Sequence, residues 1–147
     1  MNNNRINIKT IEPDAYEAMM ALEKYGKTCA LDPILKELIK IRASQINGCA
    51  YCLDMHTEDA IKLGESPRRI FALSVWNESH LFSEKEKVLL QLTEAITNIS
   101  VSGVPDETYQ SAINTFGEQI TAQIIMLIVT INAWNRIAVS TRLIYKQ

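Results

Sequence analysis

The chain has 147 residues, a length suited to one domain that buries a core of its own. Hydrophobic residues make up 47% of it and charged residues 22%, which excludes the composition of an intrinsically disordered chain. The formal net charge is −2 and no basic block that would neutralise phosphates is present, so we expect no nucleic-acid partner.

Apolar residues recur at helical spacing, and the glycines and prolines fall at the ends of these periodic segments. Asp32 in front of Pro33 suits a helix N-cap, and Ser83 followed three residues later by Glu86 is a capping box. Gly64 supplies the left-handed residue that commonly closes a helix. We therefore predict one compact all-α domain of six to seven helices over residues 1–147, with helical segments at residues 13–29, 33–47, 49–63, 67–76, 84–96, 105–117 and 118–143.

The sequence gives no sign of export or of a membrane span. Residues 1–10 are polar and rich in asparagine, and the longest apolar run, residues 124–129, is too short to cross a bilayer. We therefore expect a cytoplasmic protein with no membrane partner. The number of cysteines is three, which argues against a framework of structural disulfides and favours thiols, metal ligands or redox catalysts.

Residues 47–56, with the sequence NGCAYCLDMH, carry the most reactive side chains. On a helix, Cys49, Cys52 and His56 fall within an arc of about 60°. Free backbone N–H groups and the helix dipole stabilise a thiolate at a helix N-terminus. His56 lies one turn after Cys52 and can exchange a proton with its sulfur, while Cys49 is near enough for a disulfide if the local geometry permits. These are the requirements of a reversible dithiol catalyst.

Two charged residues of the preceding segment accompany its apolar stripe. Glu37 lies on the flank of the stripe, and a short connection would bring it near His56, which it could orient or with which it could relay a proton through water. Arg42 lies near the middle of the stripe, where a charge is costly unless it is paired. We predict that Glu37 is the fourth site residue. We also predict that a carboxylate pairs with Arg42.

The same residues allow other interpretations. The C-x-x-C pair and His56 could form part of a zinc site, with Cys29, His80 or Glu37 as the fourth ligand. Cys29 taken alone is more simply a buried, inert thiol, and His80 an ordinary surface or core residue. A non-catalytic oligomeric interaction module is a further alternative.

Glu37, residues 42–56 and residues 76–84 together resemble the alkylhydroperoxidase D-like family of the carboxymuconolactone decarboxylase superfamily, most strongly over about residues 30–100. The resemblance implies an all-helical fold, no bound metal or organic cofactor, and a homo-oligomer, commonly a trimer or a hexamer. Apolar residues spread around the last helix could supply a subunit interface. The resemblance also implies antioxidant reduction of a small hydroperoxide, with recycling by a thiol or lipoyl-type reductant.

Carried onto this chain, the family's roles make Cys52 the peroxidatic thiolate, Cys49 its resolving partner, and His56 and Glu37 the proton relay. Spacing alone favours Cys49 for stabilisation by the helix dipole, because it lies nearer the helix terminus. The best-characterised branch has a histidine where this chain has Tyr51, and on an ideal helix Tyr51 points about 160° from the Cys/His face. The decarboxylase branch lacks this cysteine pair, so lactone decarboxylation is the less favoured alternative.

Overall fold

Helices form the regular structure between residues 5 and 145, the part of the chain that this computed structural model describes. No strand occurs among those residues, so the predicted all-α class is confirmed. Each predicted segment contains a helix, and two four-residue helices, Ile8–Ile11 and Ile99–Ser102, were not predicted. The helices are α1 Ile8–Ile11, α2 Pro13–Thr28, α3 Pro33–Asn47, α4 Ala50–Lys62, α5 Pro67–Ala72, the 3₁₀ segment Leu73–Glu78, α6 Glu84–Thr97, α7 Ile99–Ser102 and α8 Asp106–Thr141.

Side-chain caps set several of these boundaries. The Asp32 carboxylate accepts the backbone N–H of Ile34 at 2.8 Å and begins α3, and Ser83 and Glu86 form the reciprocal capping box of α6. At the other end of α3, Gly48 has a φ of 65°, a left-handed conformation that favours glycine. Two residues therefore join α3 to α4, and the two helices pack against each other.

The core is built around α8, which packs against α2, α3, α4 and α6. Each fully buried leucine or isoleucine contributes about 1.5–3 kcal/mol relative to an exposed one. The burial of these side chains therefore holds α3, α6 and α8 together and fixes α4 on their flank. The largest fully buried apolar side chains are Leu38, Ile39, Ile41, Leu73, Leu89, Leu90, Leu92, Ile124 and Ile128.

The long helix α8 is broken once, at Gly117, whose φ of 77° and ψ of 165° are not helical. The sequence predicted two helices that meet at this glycine. The structure confirms this break, because the non-helical backbone of Gly117 separates the two helical parts of the Asp106–Thr141 run.

By length and composition, α8 is also apolar enough to cross a bilayer, since an 18-residue window in it has a mean hydropathy of 1.4. However, 44% of that window is buried inside the domain. Because α8 packs against four other helices, we interpret it as the central helix of the core.

The carboxylate that pairs with Arg42 is Glu94 on α6. The Arg42 Nε atom lies 2.7 Å from Glu94 Oε1, and the same oxygen accepts the indole N–H of Trp76 at 2.6 Å. These two contacts of Glu94 link α6 to α3 and to the 3₁₀ segment. The Arg42 side chain is only partly exposed. The expectation that Arg42 requires a carboxylate is confirmed.

Candidate functional site

The cysteine pair lies at the N-terminus of α4. Cys49 is the N-cap residue, and its Sγ accepts the backbone N–H of Cys52 at 3.3 Å. The two Sγ atoms lie at disulfide-bonding distance, and the two Cα atoms are 5.4 Å apart, as a disulfide requires. Each cysteine is only 1% exposed. A sulfur at the Cys49 position therefore faces an unsatisfied helix-terminal N–H group, the arrangement that stabilises a thiolate after reduction.

A partly buried amide network fixes the connection that carries the pair. The side-chain amide of Asn47 donates to Oδ1 of both Asn132 and Asn135 at 2.9 Å, and Asn135 donates to Ser44 Oγ at 2.9 Å. The Ser44 carbonyl in turn accepts the backbone N–H of Cys49 at 3.0 Å. The sequence analysis missed this network. Its signal was the presence of two asparagines, three residues apart, in the most apolar helix, where polar groups need partners.

His56 and Glu37 form a buried pair between α4 and α3. The Nδ1 atom of His56 lies 2.8 Å from Glu37 Oε2, and the two residues are 6% and 7% exposed. Because a carboxylate only accepts hydrogen bonds, Nδ1 carries the proton and Nε2 remains to exchange one. The structure thus brings Glu37 and His56 together as the sequence suggested they could be.

The ionisation of Glu37 is favoured by its partners. Burial is the strongest single influence and opposes ionisation, but the hydrogen bond and charge of His56, with the charge and hydrogen bond of Lys40, outweigh it. The pKa of Glu37 therefore lies below its ordinary value. Glu37 is an anion at neutral pH and stabilises an imidazolium at His56.

A largely apolar cavity of about 390 Å³ lies beside this pair. Cys52 and His56 line it, and Cys49 is not among its lining residues. The side chain of Cys52, one turn before His56, is therefore the sulfur that a molecule in the cavity would meet. Much of the remaining wall is made of apolar side chains from α2, α4 and α8, including Met20, Met55, Trp134, Ile137 and Ala138.

Tyr51 also lines this cavity. The cavity extends around the first turn of α4, toward α1 and α2, and so takes in a side chain that an ideal helix places on another face. The ring of Tyr51 packs edge-to-face with the ring of Tyr145, with the two ring centroids 5.6 Å apart. Burial and the nearby phenols of Tyr16 and Tyr145 raise the pKa of Tyr51, which therefore remains a neutral phenol at neutral pH.

Among the described residues, Glu37, His56 and Asp59 form the group whose potential metal-ligand atoms approach within 4.8 Å. Glu37 and His56 are already bonded to each other, and the Lys40 ammonium lies 2.9 Å from the second Glu37 oxygen. A metal ion would be repelled by that ammonium. The geometry therefore favours a hydrogen-bonded pair with a neighbouring carboxylate over a metal centre.

The other suggested zinc ligands do not join the cysteine pair. Cys29 is buried, and its Sγ donates to the Tyr25 carbonyl at 3.6 Å, as expected of an inert core thiol. His80 is exposed in the connection before α6. Within residues 5–145, no group of three or more potential ligands includes Cys49 or Cys52, so the geometry gives the zinc interpretation no support.

Comparison with known proteins places the chain in a family. The profile of the carboxymuconolactone decarboxylase family matches residues 13–95. Uncharacterized protein YdfG of Bacillus subtilis strain 168 is 43% identical over 136 residues, which are 92% of each chain. A solved structure from Agrobacterium tumefaciens, of a protein of unknown function provisionally named antioxidant defence protein AhpD, shares 40% identity with a TM-score of 0.94, covering 97% of this chain and 98% of that one.

A more distant structure shares the fold. The debrominase Bmp8 is 20% identical, with a TM-score of 0.80, over 91% of this chain and 72% of its own. At that identity the likeness concerns architecture alone.

The matched profile and the Agrobacterium tumefaciens structure, together with the cysteine pair on α4, show that the chain belongs to the carboxymuconolactone decarboxylase superfamily and to its alkylhydroperoxidase D-like group.

Proposed function

We propose that this protein is a cysteine-pair oxidoreductase that reduces hydroperoxides at Cys52. The observation that carries the proposal is that Cys52, at disulfide-bonding distance from Cys49, lines the same cavity as His56, which is paired with Glu37. In this proposal the nucleophile Cys52 and the base His56 border one space that could hold a substrate, and Cys49 is within reach of Cys52 behind it.

The first step would use the reduced protein. His56 takes the Cys52 thiol proton, and the thiolate attacks the terminal oxygen of the hydroperoxide. The O–O bond breaks, the hydroxyl stays on sulfur as a sulfenic acid, and the alkoxide leaves as an alcohol with the proton held by His56. The sulfur loses two electrons and the peroxide gains them. Ionised Glu37 would stabilise the imidazolium during this transfer.

The second and third steps would return the protein to its starting state. The Cys49 thiol attacks Cys52 Sγ, the S–O bond breaks, and the hydroxide leaves as water with the Cys49 proton, so the disulfide forms. An external dithiol, of the lipoyl type or another thiol, then gives two electrons and two protons to the disulfide and becomes oxidised itself. We place this cycle in the cytoplasm, where such reductants keep thiols reduced.

The shape of the cavity supports an organic substrate. Its walls are mostly apolar, and about 390 Å³ is room for a small hydrophobic molecule. The cavity-side position of Cys52 favours it over Cys49 as the attacking sulfur, although Cys49 lies nearer the helix terminus. Neutral Tyr51 can offer a phenol hydrogen bond to a substrate oxygen but does not act as a base at neutral pH.

The test is turnover of cumene hydroperoxide with dihydrolipoamide by the purified wild-type protein, measured as loss of dithiol. We expect Cys52→Ser to lower kcat by more than about a hundredfold, because a hydroxyl is a poor nucleophile at neutral pH. Cys49→Ser should reduce about one equivalent of peroxide and then stall with Cys52 oxidised. The matched control is Cys29→Ser, which changes a buried thiol outside the cavity and should leave kcat within about twofold.

Other outcomes would overturn the proposal. Turnover by Cys52→Ser equal to wild type would exclude the cysteine mechanism, and no turnover by wild type would favour the decarboxylase or a non-catalytic module. Stoichiometric zinc in the isolated protein, lost in Cys49→Ser, would establish the metal alternative in its place.

A further inference from the structure

We propose that Lys40 is a positioning residue of the relay, which holds one oxygen of the Glu37 carboxylate and so fixes the other for its bond to His56. Lys40 is not part of the sequence motif that identifies the site, and it is not among the residues that line the cavity. Its catalytic meaning rests on the proposed function, whereas its effect on the Glu37–His56 pair does not.

The geometry divides the two oxygens of Glu37 between two partners. Oε2 lies 2.8 Å from His56 Nδ1, and Oε1 accepts from Lys40 Nζ at 2.9 Å. The carboxylate is therefore held at both ends and cannot rotate without breaking one charge-assisted hydrogen bond. Lys40 lies one turn after Glu37 on the same helix, so the backbone of α3 sets their spacing.

Lys40 is itself held from a second helix. Its Nζ lies 4.0 Å from Glu23 Oε1 on α2, and its side chain is 17% exposed. Glu23 in turn accepts the indole N–H of Trp134 at 3.1 Å, and both of these residues line the cavity. A chain of alternating charges thus runs from the cavity wall through Glu23, Lys40 and Glu37 to His56.

The charges around Glu37 show why a cation is needed there. On α4, His56 bonds to Glu37, and the Asp59 carboxylate comes within 4.8 Å of the pair's ligand atoms. On α2, the Glu23 carboxylate lies 4.0 Å from Lys40 Nζ. Without Lys40, a buried carboxylate would face two other anions with only His56 in compensation. Both the charge and the hydrogen bond of Lys40 contribute to the lowered pKa of Glu37.

The test follows the reduced protein without any peroxide. Iodoacetamide modification of Cys52, resolved by peptide mass spectrometry, is measured as a function of pH in wild type, Lys40→Met and Lys40→Arg. The acid limb is the part of the profile in which the rate of Cys52 modification rises with pH. Loss of the cation makes Glu37 harder to ionise, so this limb should move to higher pH in Lys40→Met. At the low-pH end of the limb we expect the modification rate to be about tenfold below wild type, the scale of one charge-assisted hydrogen bond.

A matched control separates this effect from the general loss of a positive charge. Lys36 lies one turn before Lys40 on α3, and its Nζ donates to the carbonyl oxygens of Gly26 and Lys27. Lys36→Met should reproduce the wild-type profile, and Lys40→Arg should restore most of it. Lys40→Gln, which keeps a polar end, gives the same measurement if Lys40→Met does not fold, and should shift in the same direction.

The inference is overturned if the Lys40→Met or Lys40→Gln profile superimposes on wild type, or if Lys36→Met shifts the limb equally. Carboxyl ¹³C NMR of Glu37 provides an independent readout, in which the Glu37 titration must move to higher pH in Lys40→Met. If wild type fails to reduce hydroperoxides but these shifts occur, the proposed function is wrong and the role of Lys40 stands.

Discussion

Asn135 offers the sharpest test of how the fold holds the cysteine pair. It is fully buried on α8, where its Oδ1 accepts from Asn47 and its Nδ2 donates to Ser44 Oγ, each at 2.9 Å. Asn135→Leu keeps a similar volume but removes both hydrogen bonds. Because these bonds hold the end of α3 directly before Gly48 and Cys49, the substitution destabilises the segment that leads into the cysteine pair.

The magnitude follows from what each partner loses. Ser44 is fully buried and would lose its partner at Oγ, which costs about 1–3 kcal/mol. Asn47 keeps its bond to Asn132, so its loss is about 0.5–1.5 kcal/mol. We therefore expect Asn135→Leu to lower the free energy of unfolding by about 2–4 kcal/mol. For a domain of this length the corresponding fall in Tm is roughly 5–15 °C.

The assay is urea unfolding of the oxidised protein, followed by circular dichroism. The double variant Asn135→Leu/Ser44→Ala should lose less stability than the sum of the two single variants, by about 1 kcal/mol or more. The reason is that Ser44→Ala removes the buried hydroxyl that has lost its partner. The control is Asn114→Leu on the same helix, where the asparagine is exposed and its loss should cost less than about 0.5 kcal/mol. A cost for Asn135→Leu as small as the control, or strict additivity with Ser44→Ala, would refute the reasoning.

Two further predictions concern pH and assembly. Because the pKa of Glu37 is lowered in the folded protein, its ionised form stabilises the fold above the ordinary carboxyl pKa of about 4.3, and this contribution is lost as the pH falls through the lowered value. The free energy of unfolding of Glu37→Gln, measured in urea, should therefore vary less between about pH 7 and about pH 3 than that of wild type; an equal variation would contradict the assignment. For assembly, Val129 and Val139 on α8 are 42% and 46% exposed, and we expect a homotrimer or a homohexamer by light scattering at micromolar concentration, whereas a monomer would contradict the prediction.

Local signals in the sequence were enough to predict most of the helices. Asp32 and Ser83 cap helices by side-chain bonds to backbone groups two or three residues away, so a short segment contains both partners. The grouping of Cys49 and Cys52 is local for the same reason, since both belong to one turn at the start of α4. The break at Gly117 was also visible in the sequence, and the non-helical backbone of that glycine confirms it.

The partner of a charged residue was predicted only as a class. The sequence indicated that Arg42 needs a carboxylate because burial of an unpaired charge is costly, but Glu94 lies 52 residues away and only the packing of α6 against α3 selects it. The contact of Glu37 with His56 was one of several possibilities until the two-residue connection and the packing of α3 on α4 set it at 2.8 Å.

The helical class, the capped helices and the reactive turn with Cys49 and Cys52 therefore follow from the amino-acid sequence. Tertiary packing selected the side chains that share the cavity, Tyr51 among them. It also decided the amide network of Asn135 and the bridging position of Lys40. The physical reason is range: caps and turns join neighbours in sequence, whereas a cavity and a buried charge are completed by helices that meet only when the core packs.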